Sequence, residues 1–234
     1  MRIQDLPSPN FDVRNVGIDI LLLHYTGMRT AQEAIDRLRD PAAQVSAHYV
    51  VDEDGATYRL VAEEMRAWHA GASYWAGARD INARSIGIEI VNPGHEFGYR
   101  AFPAVQMRAV LELTQDIVKR RGIKPGRVIG HSDVAPIRKE DPGELFDWAM
   151  LAAEGVGLWP KPKPCGWSDA EFLVQLGRYG YDLEGPPGTD VGKARRAAIT
   201  AFARHFRPAR LTDAPDPELK AVLNGLIDLA ASHA

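Results

Sequence analysis

Apolar residues recur with two different periods along the first 160 residues, which predicts a fold that contains both strands and helices. Short apolar or β-prone runs alternate with longer segments of helical spacing, and Asp54-Gly55 separates two of the β-prone runs, as in a hairpin. The predicted strands are residues 16–23, 46–51, 56–61, 85–92 and 127–129, and the predicted helices are residues 30–39 and 103–121. This order predicts an α/β fold with a mixed central β-sheet flanked by helices.

The composition changes at residues 159–164, where three prolines occupy alternate positions. Such a segment is typical of a semi-rigid linker. Three further helical patterns follow it: residues 168–179, residues 191–206 and a third that starts at Asp216-Pro217. The sequence therefore predicts a main unit over residues 1–159, a Pro-rich linker over 160–167 and a small three-helix module over 168–234.

Composition and charge exclude several classes of protein. The net charge of −3 gives no electrostatic reason to expect a nucleic acid as partner. The only cysteine, Cys165, excludes an intramolecular disulfide and a multi-cysteine metal site. The first residues lack the apolar core of a secretory signal, and no apolar run approaches the roughly 20 residues of a membrane span. We expect a monomer in the cytoplasm, with the periplasm as the alternative.

Two histidines and an aspartate occupy positions where predicted strands give way to loops. His24 ends the apolar run of residues 18–23, His131 follows Val128-Ile129-Gly130, and Asp141 lies ten residues further on, before Pro142-Gly143. Each has a simpler interpretation alone: a core histidine, a turn histidine and a turn aspartate. Together they have the nitrogen and oxygen donors that zinc prefers, with a fourth position left for water. The pattern predicts a site for one Zn²⁺ ion.

Two further polar residues belong to this hypothesis. Glu89 lies within the apolar run Ile86-Gly87-Ile88-Glu89-Ile90, where an unpaired carboxylate is costly unless it is functional. We interpret it as a general base, although strand alternation could instead point it to a solvated sheet face. Lys139, two residues before Asp141, is interpreted as the group that stabilises an oxyanion; the simpler alternative is an exposed loop lysine.

Five motifs in a fixed order give the chain a resemblance to a known family. They are Ile20-Leu21-Leu22-Leu23-His24-Tyr25-Thr26, Ser46-Ala47-His48-Tyr49, Ala67-Trp68-His69-Ala70-Gly71, Ser85-Ile86-Gly87-Ile88-Glu89, and Gly130-His131-Ser132-Asp133 with Lys139-Glu140-Asp141-Pro142-Gly143. Over about residues 10–160 the chain resembles the zinc N-acetylmuramoyl-L-alanine amidases, which are related to phage lysozyme-amidases and to animal peptidoglycan recognition proteins. Residues 168–234 resemble, more weakly, a peptidoglycan-binding helical module, which would either bind the cell wall or pack on the main unit as structural support.

The resemblance implies a function for these motifs. Zinc would be held by His24, His131 and Asp141, and Glu89 and Lys139 would be the catalytic partners. The reaction would be hydrolysis of the amide bond between N-acetylmuramic acid, or its 1,6-anhydro form, and L-alanine of the stem peptide. The partners would be peptidoglycan fragments (muropeptides). The expected substrate-binding residues are Trp68, His69 and His48.

Three points leave alternatives open. Some cytoplasmic recycling members of the family carry an arginine where this chain has Gln44, so the finer substrate preference is not fixed. A peptidoglycan-binding protein without catalysis is the main alternative, although such proteins often lose a metal ligand and this chain keeps all three. A cysteine peptidase that uses Cys165 is a weaker alternative, because prolines and Gly166 surround this residue in the linker.

Overall fold

A six-stranded mixed sheet forms the centre of the computed structural model, which describes residues 2–233. The strands are β1 (Ile3–Asp5), β2 (Phe11–Val13), β3 (Ile20–Tyr25), β4 (Tyr49–Val51), β5 (Thr57–Arg59), β6 (Met65–Ala67), β7 (Ser85–Ile90) and β8 (Val128–Gly130). The sheet order is β1-β5-β4-β7-β3-β8, and β2 pairs with β6 in a separate ribbon. Strands β4 and β5 are antiparallel, and the other pairs of the large sheet are parallel. The predicted mixed sheet and hairpin are confirmed.

The helices of the described residues are α1 (Ala31–Arg39), α2 (Ile81–Arg84), α3 (Gly94–Phe97), α4 (Ala104–Arg121), α5 (His131–Val134), α6 (Trp148–Ala153), α7 (Asp169–Tyr179), α8 (Val191–Phe206) and α9 (Pro217–Ala231). The five longest, α1, α4, α7, α8 and α9, begin and end close to the residues that the sequence predicts, whereas the other four are short and were not predicted. The Thr30 hydroxyl accepts a hydrogen bond from Glu33 N at the start of α1, and Ser168 and Glu171 form a capping box on α7. Within residues 2–233, no helix has both the length and the apolar character needed to cross a membrane.

The two faces of strand β3 contribute to two different hydrophobic clusters. Leu21 and Leu23 pack with α4 on one side of the sheet, whereas Ile20 and Leu22 belong to a cluster that includes α7, α8 and α9. Because successive side chains of a strand point to opposite faces, helices must cover both sides of this apolar strand. The C-terminal helices therefore supply the second layer over the sheet.

The three predicted C-terminal helices are present, and α8 has the predicted bounds of 191–206. The buried Phe172, Leu176 and Phe202 share one cluster with Ile20 and Leu22 of the sheet. The division of the chain at residues 159 and 168 stays a prediction. The shared cluster shows that the two parts pack as neighbours through apolar side chains.

The Pro-rich segment between these parts is attached to helix α9. Lys163 N donates to Ala221 O at 2.8 Å, and Asn224 Nδ2 donates to Lys163 O at 3.0 Å. Gly225 faces the same segment, and a Cβ atom at this position would lie 2.0 Å from Lys161 O. The segment predicted as a linker is thus held along α9, and a glycine permits the close approach.

The Gly225→Ala variant is expected to lower the free energy of unfolding by about 1–3 kcal/mol, because the new methyl group has no space beside the Lys161 carbonyl. Chemical denaturation followed by circular dichroism measures this change. Gly166→Ala is the matched control, since a Cβ atom at Gly166 would meet no atom within 4 Å. Equal stability of Gly225→Ala and wild type would contradict the expected clash.

Candidate metal centre and active-site cleft

The predicted metal ligands meet because strands β3 and β8 are parallel neighbours. Leu23 of β3 pairs with Gly130 of β8, so His24 and His131 emerge side by side at the carboxyl ends of the two strands. Asp141 returns to the same point from the following loop. The three residues are buried, and their ligand atoms lie within 4.8 Å of one another. The predicted convergence of these side chains is confirmed.

The short distances within this group join one nitrogen of each histidine to one carboxylate oxygen. Asp141 Oδ2 lies 3.1 Å from His24 Nδ1 and 2.9 Å from His131 Nδ1, and the two Nδ1 atoms are 2.9 Å apart. The other ring nitrogen of His131, Nε2, lies 3.1 Å from Ala70 O and 3.3 Å from Arg138 Nη2. A hydrogen bond from Nε2 to Ala70 O would leave the lone pair of Nδ1 for a metal ion, which is the tautomer that a metal ligand needs.

The electrostatics of the group also fit a bound cation. Burial, assisted by His131, lowers the pKa of His24 to about 4, which favours the neutral imidazole. Burial alone would raise the pKa of Asp141, but His131 and His24 outweigh it and hold the pKa well below its usual range. Neutral imidazoles and an ionised carboxylate are the forms that bind zinc. The donor set therefore fits a divalent metal ion of the zinc type.

Glu89 lies next to this group because its position in β7 pairs with that of His24 in β3. Ile86, Ile88 and Ile90 point to the opposite face, into the cluster around α4. The described residues provide no hydrogen-bond partner for the buried Glu89 Oε2. Burial, and secondarily the Asp141 carboxylate, raises the pKa of Glu89 well above its ordinary value, while Lys139 opposes the shift. The alternative of a solvated sheet face is wrong: the carboxylate lines the cleft.

A cleft opens over the metal-ligating group. A cavity of about 190 Å³ is lined by Glu89, Lys139, Trp68 and His69, together with His131 and Asp141. It adjoins a wider groove of about 510 Å³ that shares Trp68, His69, His131 and Lys139. The indole Nε1 of Trp68 donates to Asp12 Oδ2 at 2.7 Å. The structure thus brings together all the predicted site residues except His48.

His69 is in the cleft wall and also supports a metal ligand. Its Nδ1 atom lies 3.0 Å from His24 Nε2, and the two rings meet edge to face. Burial is the main reason why the pKa of His69 is well below its ordinary value, and the nearby His24 and His48 lower this pKa further. A contact of His69 with substrate stays a prediction, whereas its contact with His24 is a feature that the sequence did not indicate.

The prediction that His48 binds substrate is corrected by its burial. His48 is 0% exposed and lies behind His69, with ring centroids 5.6 Å apart. Gly87 N donates to its Nδ1 atom at 2.9 Å, and its Nε2 atom contacts Arg14 Nη2 at 3.0 Å. Both ring nitrogens are therefore occupied by the protein. His48 supports the wall of the cleft from behind.

Arg14 is a structural residue that sequence reasoning missed. Its guanidinium donates to backbone oxygens of Glu63, Met65, Asn82, Ala83 and Ser85, and so ties β6, α2 and β7 together behind the cleft. Burial lowers the pKa of Arg14 to about 10. No local pattern marks an arginine whose partners are carbonyl groups about 50 to 70 residues away.

Sequence reasoning also missed three cationic side chains of the cleft. Arg37 lines the smaller cavity, and Arg66 and Arg138 line the groove. Gln44 lies in the same groove, exposed and with a left-handed backbone (φ 51°). Cys165 lines neither space. The geometry therefore supports hydrolytic chemistry at the histidine–aspartate group and gives no support to a cysteine nucleophile.

Comparisons with known proteins agree with this geometry. The family described as N-acetylmuramoyl-L-alanine amidase matches residues 14–144, more than half of the chain. The N-acetylmuramoyl-L-alanine amidase AmiD of Escherichia coli K12 is 36% identical over 234 residues, which cover 90% of this chain and 83% of AmiD. The chain belongs to the N-acetylmuramoyl-L-alanine amidase family. The resemblance predicted from five motifs is thus confirmed.

Other members of the family show how far the similarity extends. The 1,6-anhydro-N-acetylmuramyl-L-alanine amidase AmpD of E. coli K12 is 39% identical, over 62% of this chain and 88% of AmpD. The structure of E. coli AmiD in complex with the substrate anhydro-N-acetylmuramic acid-L-Ala-D-gamma-Glu-L-Lys has a TM-score of 0.80 at 36% identity. The structural similarity covers 91% of this chain and 89% of the AmiD chain. The likeness to this amidase therefore includes the C-terminal helices, whereas AmpD matches a shorter part.

Gly87 has no side chain, and this leaves the space that the His69 ring occupies in the cleft wall. A Cβ atom at Gly87 would lie 2.5 Å from the His69 ring, so Gly87→Ala must displace that ring. We expect weaker zinc binding and a loss of about 1–3 kcal/mol in the free energy of unfolding. Zinc titration and chemical denaturation measure the two effects. Gly126→Ala, whose nearest contact would be an ordinary 3.6 Å, is the control, and indistinguishable variants would contradict this role of Gly87.

Proposed function

We propose that this protein is a zinc-dependent amidase of cell-wall recycling or turnover. It hydrolyses the amide bond between N-acetylmuramic acid, or its 1,6-anhydro form, and L-alanine of a peptidoglycan stem peptide. The observation that carries the proposal is the buried group of His24, His131 and Asp141 beside Glu89, whose buried Oε2 atom has no hydrogen-bond partner among the described residues. The AmiD complex with an anhydro-muropeptide, similar over most of both chains, supports this substrate class.

His24, His131 and Asp141 would hold one zinc ion. Bound zinc supplies Lewis acidity and makes water a nucleophile near neutral pH. His131 is oriented for this task by its bond to Ala70 O, and His24 by its contact with His69. Support for zinc comes from the chemistry of the donors and from the family.

Glu89 is the proton acceptor in the proposed reaction. Its Oε2 atom takes a proton from the attacking water while the new C–O bond forms at the lactyl carbonyl. The same carboxyl group then gives this proton to the departing alanine nitrogen as the C–N bond breaks. The raised pKa of Glu89 suits a group that must hold a proton between these two steps.

Lys139 is the proposed partner of the developing oxyanion. It lines both the cavity and the adjoining groove, next to His131 and Trp68. An ammonium group in a cleft with restricted water stabilises negative charge more strongly than it would in bulk water. Trp68 and His69 form the wall against which we place the substrate.

The test is product analysis by mass spectrometry. The purified chain is incubated with anhydro-muropeptides and, separately, with intact peptidoglycan, each with and without a chelator. We expect at least one of the two substrates to yield free peptides with an N-terminal L-alanine. We expect the release of these peptides to depend on zinc. A protein that binds muropeptide but releases no peptide after zinc loading would favour the non-catalytic alternative. The cytoplasmic location and the monomeric state stay predictions.

A further inference from the structure

Helix α8 contacts both ends of the loop that carries two of the metal ligands. His131 and Asp141 are ten positions apart, and Asp133 and Glu140 lie just inside this interval. His205 of α8 contacts Asp133 at 2.7 Å, and the preceding residue Arg204 donates to Glu140 Oε1 at 3.3 Å. Two consecutive residues of the C-terminal part therefore engage the neighbours of two ligands.

The contact at Asp133 is a buried network with three donors. Asp133 is 1% exposed, and its Oδ2 atom accepts from His205 Nδ1 at 2.7 Å and from Gly130 N at 2.7 Å. Its Oδ1 atom accepts from the hydroxyl of Tyr181 at 2.6 Å. Burial, together with Asp133, raises the pKa of Tyr181 well above its ordinary value, so the hydroxyl keeps its proton. Two of the three donors come from the C-terminal part.

The ring of His205 is fixed on both faces. It stacks on Trp148 with ring centroids 3.9 Å apart and on Phe206 at the same separation. Trp148 belongs to α6 and Phe206 to α8, so the imidazole is held between the two parts of the chain. A donor that cannot rotate away fixes the position of its acceptor more tightly than a mobile surface side chain would.

The network reaches the metal ligands through the backbone. Asp133 closes the first turn of α5 by accepting from Gly130 N, and His131 is the first residue of that turn. In the same turn Ser132 N donates to Asp141 O at 2.9 Å. Asp133 is thus connected to His131 through the backbone of α5, and to Asp141 through the hydrogen bond of the neighbouring Ser132. Removing a group that orients a metal ligand typically lowers metal affinity by roughly 10–100-fold.

We propose that His205 and Tyr181 are positioning residues of the metal centre, which act through Asp133 to hold His131 and Asp141 in place. The C-terminal helices are then an integral part of that centre. The inference rests on the proposed zinc site, and it assigns a role to this part of the chain that does not depend on wall binding.

The test compares zinc affinity among four full-length variants. His205→Phe keeps a flat ring between Trp148 and Phe206 but removes the donor, and His205→Asn restores a nitrogen donor near the place of Nδ1. Tyr181→Phe removes only the second donor. Leu223→Ala, at a buried apolar position of α9, lowers stability without touching Asp133. Zinc dissociation constants come from competition with a chromophoric chelator, and the visible spectrum of the cobalt-loaded protein reports ligand geometry.

We expect His205→Phe and Tyr181→Phe to raise the zinc dissociation constant about 10–100-fold and to change the cobalt spectrum. His205→Asn should recover most of the affinity, and Leu223→Ala should keep it despite a lower melting temperature. Wild-type zinc affinity in both His205→Phe and Tyr181→Phe would overturn this inference but would leave the proposed function standing. Loss of affinity in all four variants, in proportion to melting temperature, also overturns the inference. A wild-type protein that binds no zinc overturns the proposed function and this inference together.

Discussion

Replacing Glu89 with glutamine is expected to lower kcat for amide cleavage by about 10²–10⁴-fold, the usual contribution of a general base. Glutamine keeps the size of the side chain but cannot accept the proton of the attacking water. The side chain lines the cleft beside Lys139 and Asp141, so the loss should appear in kcat more than in KM. Release of L-alanine-terminated peptide from an anhydro-muropeptide, quantified by mass spectrometry, measures the change.

Zinc content separates this effect from damage to the metal site. Glu89→Gln should bind one zinc ion per chain, because His24, His131 and Asp141 are unchanged. Glu64→Gln is the control, since this carboxylate is exposed and pairs with Arg121 away from the cleft. Turnover of the Glu89 variant at the rate of the Glu64 variant would exclude Glu89 as the base.

The convergence of His24, His131 and Asp141 could be predicted from the sequence, because both histidines follow strands that end at the same edge of the sheet. His24 and His131 follow apolar runs, and the carboxyl ends of parallel neighbours meet at one sheet edge. Helix bounds were also predictable, because Thr30, Ser168 and Asp216 are capping residues whose side chains accept backbone hydrogen bonds in the structure.

Three strands and the supporting residues could not be predicted in the same way. Strands β1, β2 and β6 have three residues each, as do the predicted strands β4, β5 and β8, but they lack the apolar run or the Asp-Gly turn that marks those strands. His48 and His69 occur in similar polar-apolar contexts, yet one faces Arg14 and the other faces His24. Partners far along the chain decide the direction in which each ring points. The spacing of residues in the sequence carries no information on these partners.

The relation between the C-terminal helices and the site is a further example. Composition marks residues 160–167 as a boundary, and the helices beyond it are amphipathic as predicted. Their apolar faces, however, cover one side of the central sheet. A hydrophobic stripe predicts that a helix is buried but does not identify the surface that buries it. The contact between His205 and Asp133 could therefore be found only in three dimensions.

Removing zinc is expected to lower both activity and thermal stability. A ligand present at about 1,000 times its dissociation constant stabilises the folded state by roughly 4 kcal/mol, which for a chain of this length corresponds to about 8–16 °C in melting temperature. The site contains a buried carboxylate and two buried imidazoles whose Nδ1 atoms are 2.9 Å apart, and a bound cation would hold these three groups together. Differential scanning calorimetry before and after chelation measures the shift, and added zinc should restore it.

Two variants identify the origin of that shift. Asp141→Asn loses the charged ligand, so its melting temperature should no longer respond to zinc and its turnover should be lost. Glu89→Gln should keep the full zinc-dependent shift without turnover, because it changes the proton acceptor and leaves the ligands intact. This crossed result would place metal binding and proton transfer on different side chains of one cleft. An Asp141 variant with an undiminished zinc response would contradict the assignment of this residue as a ligand.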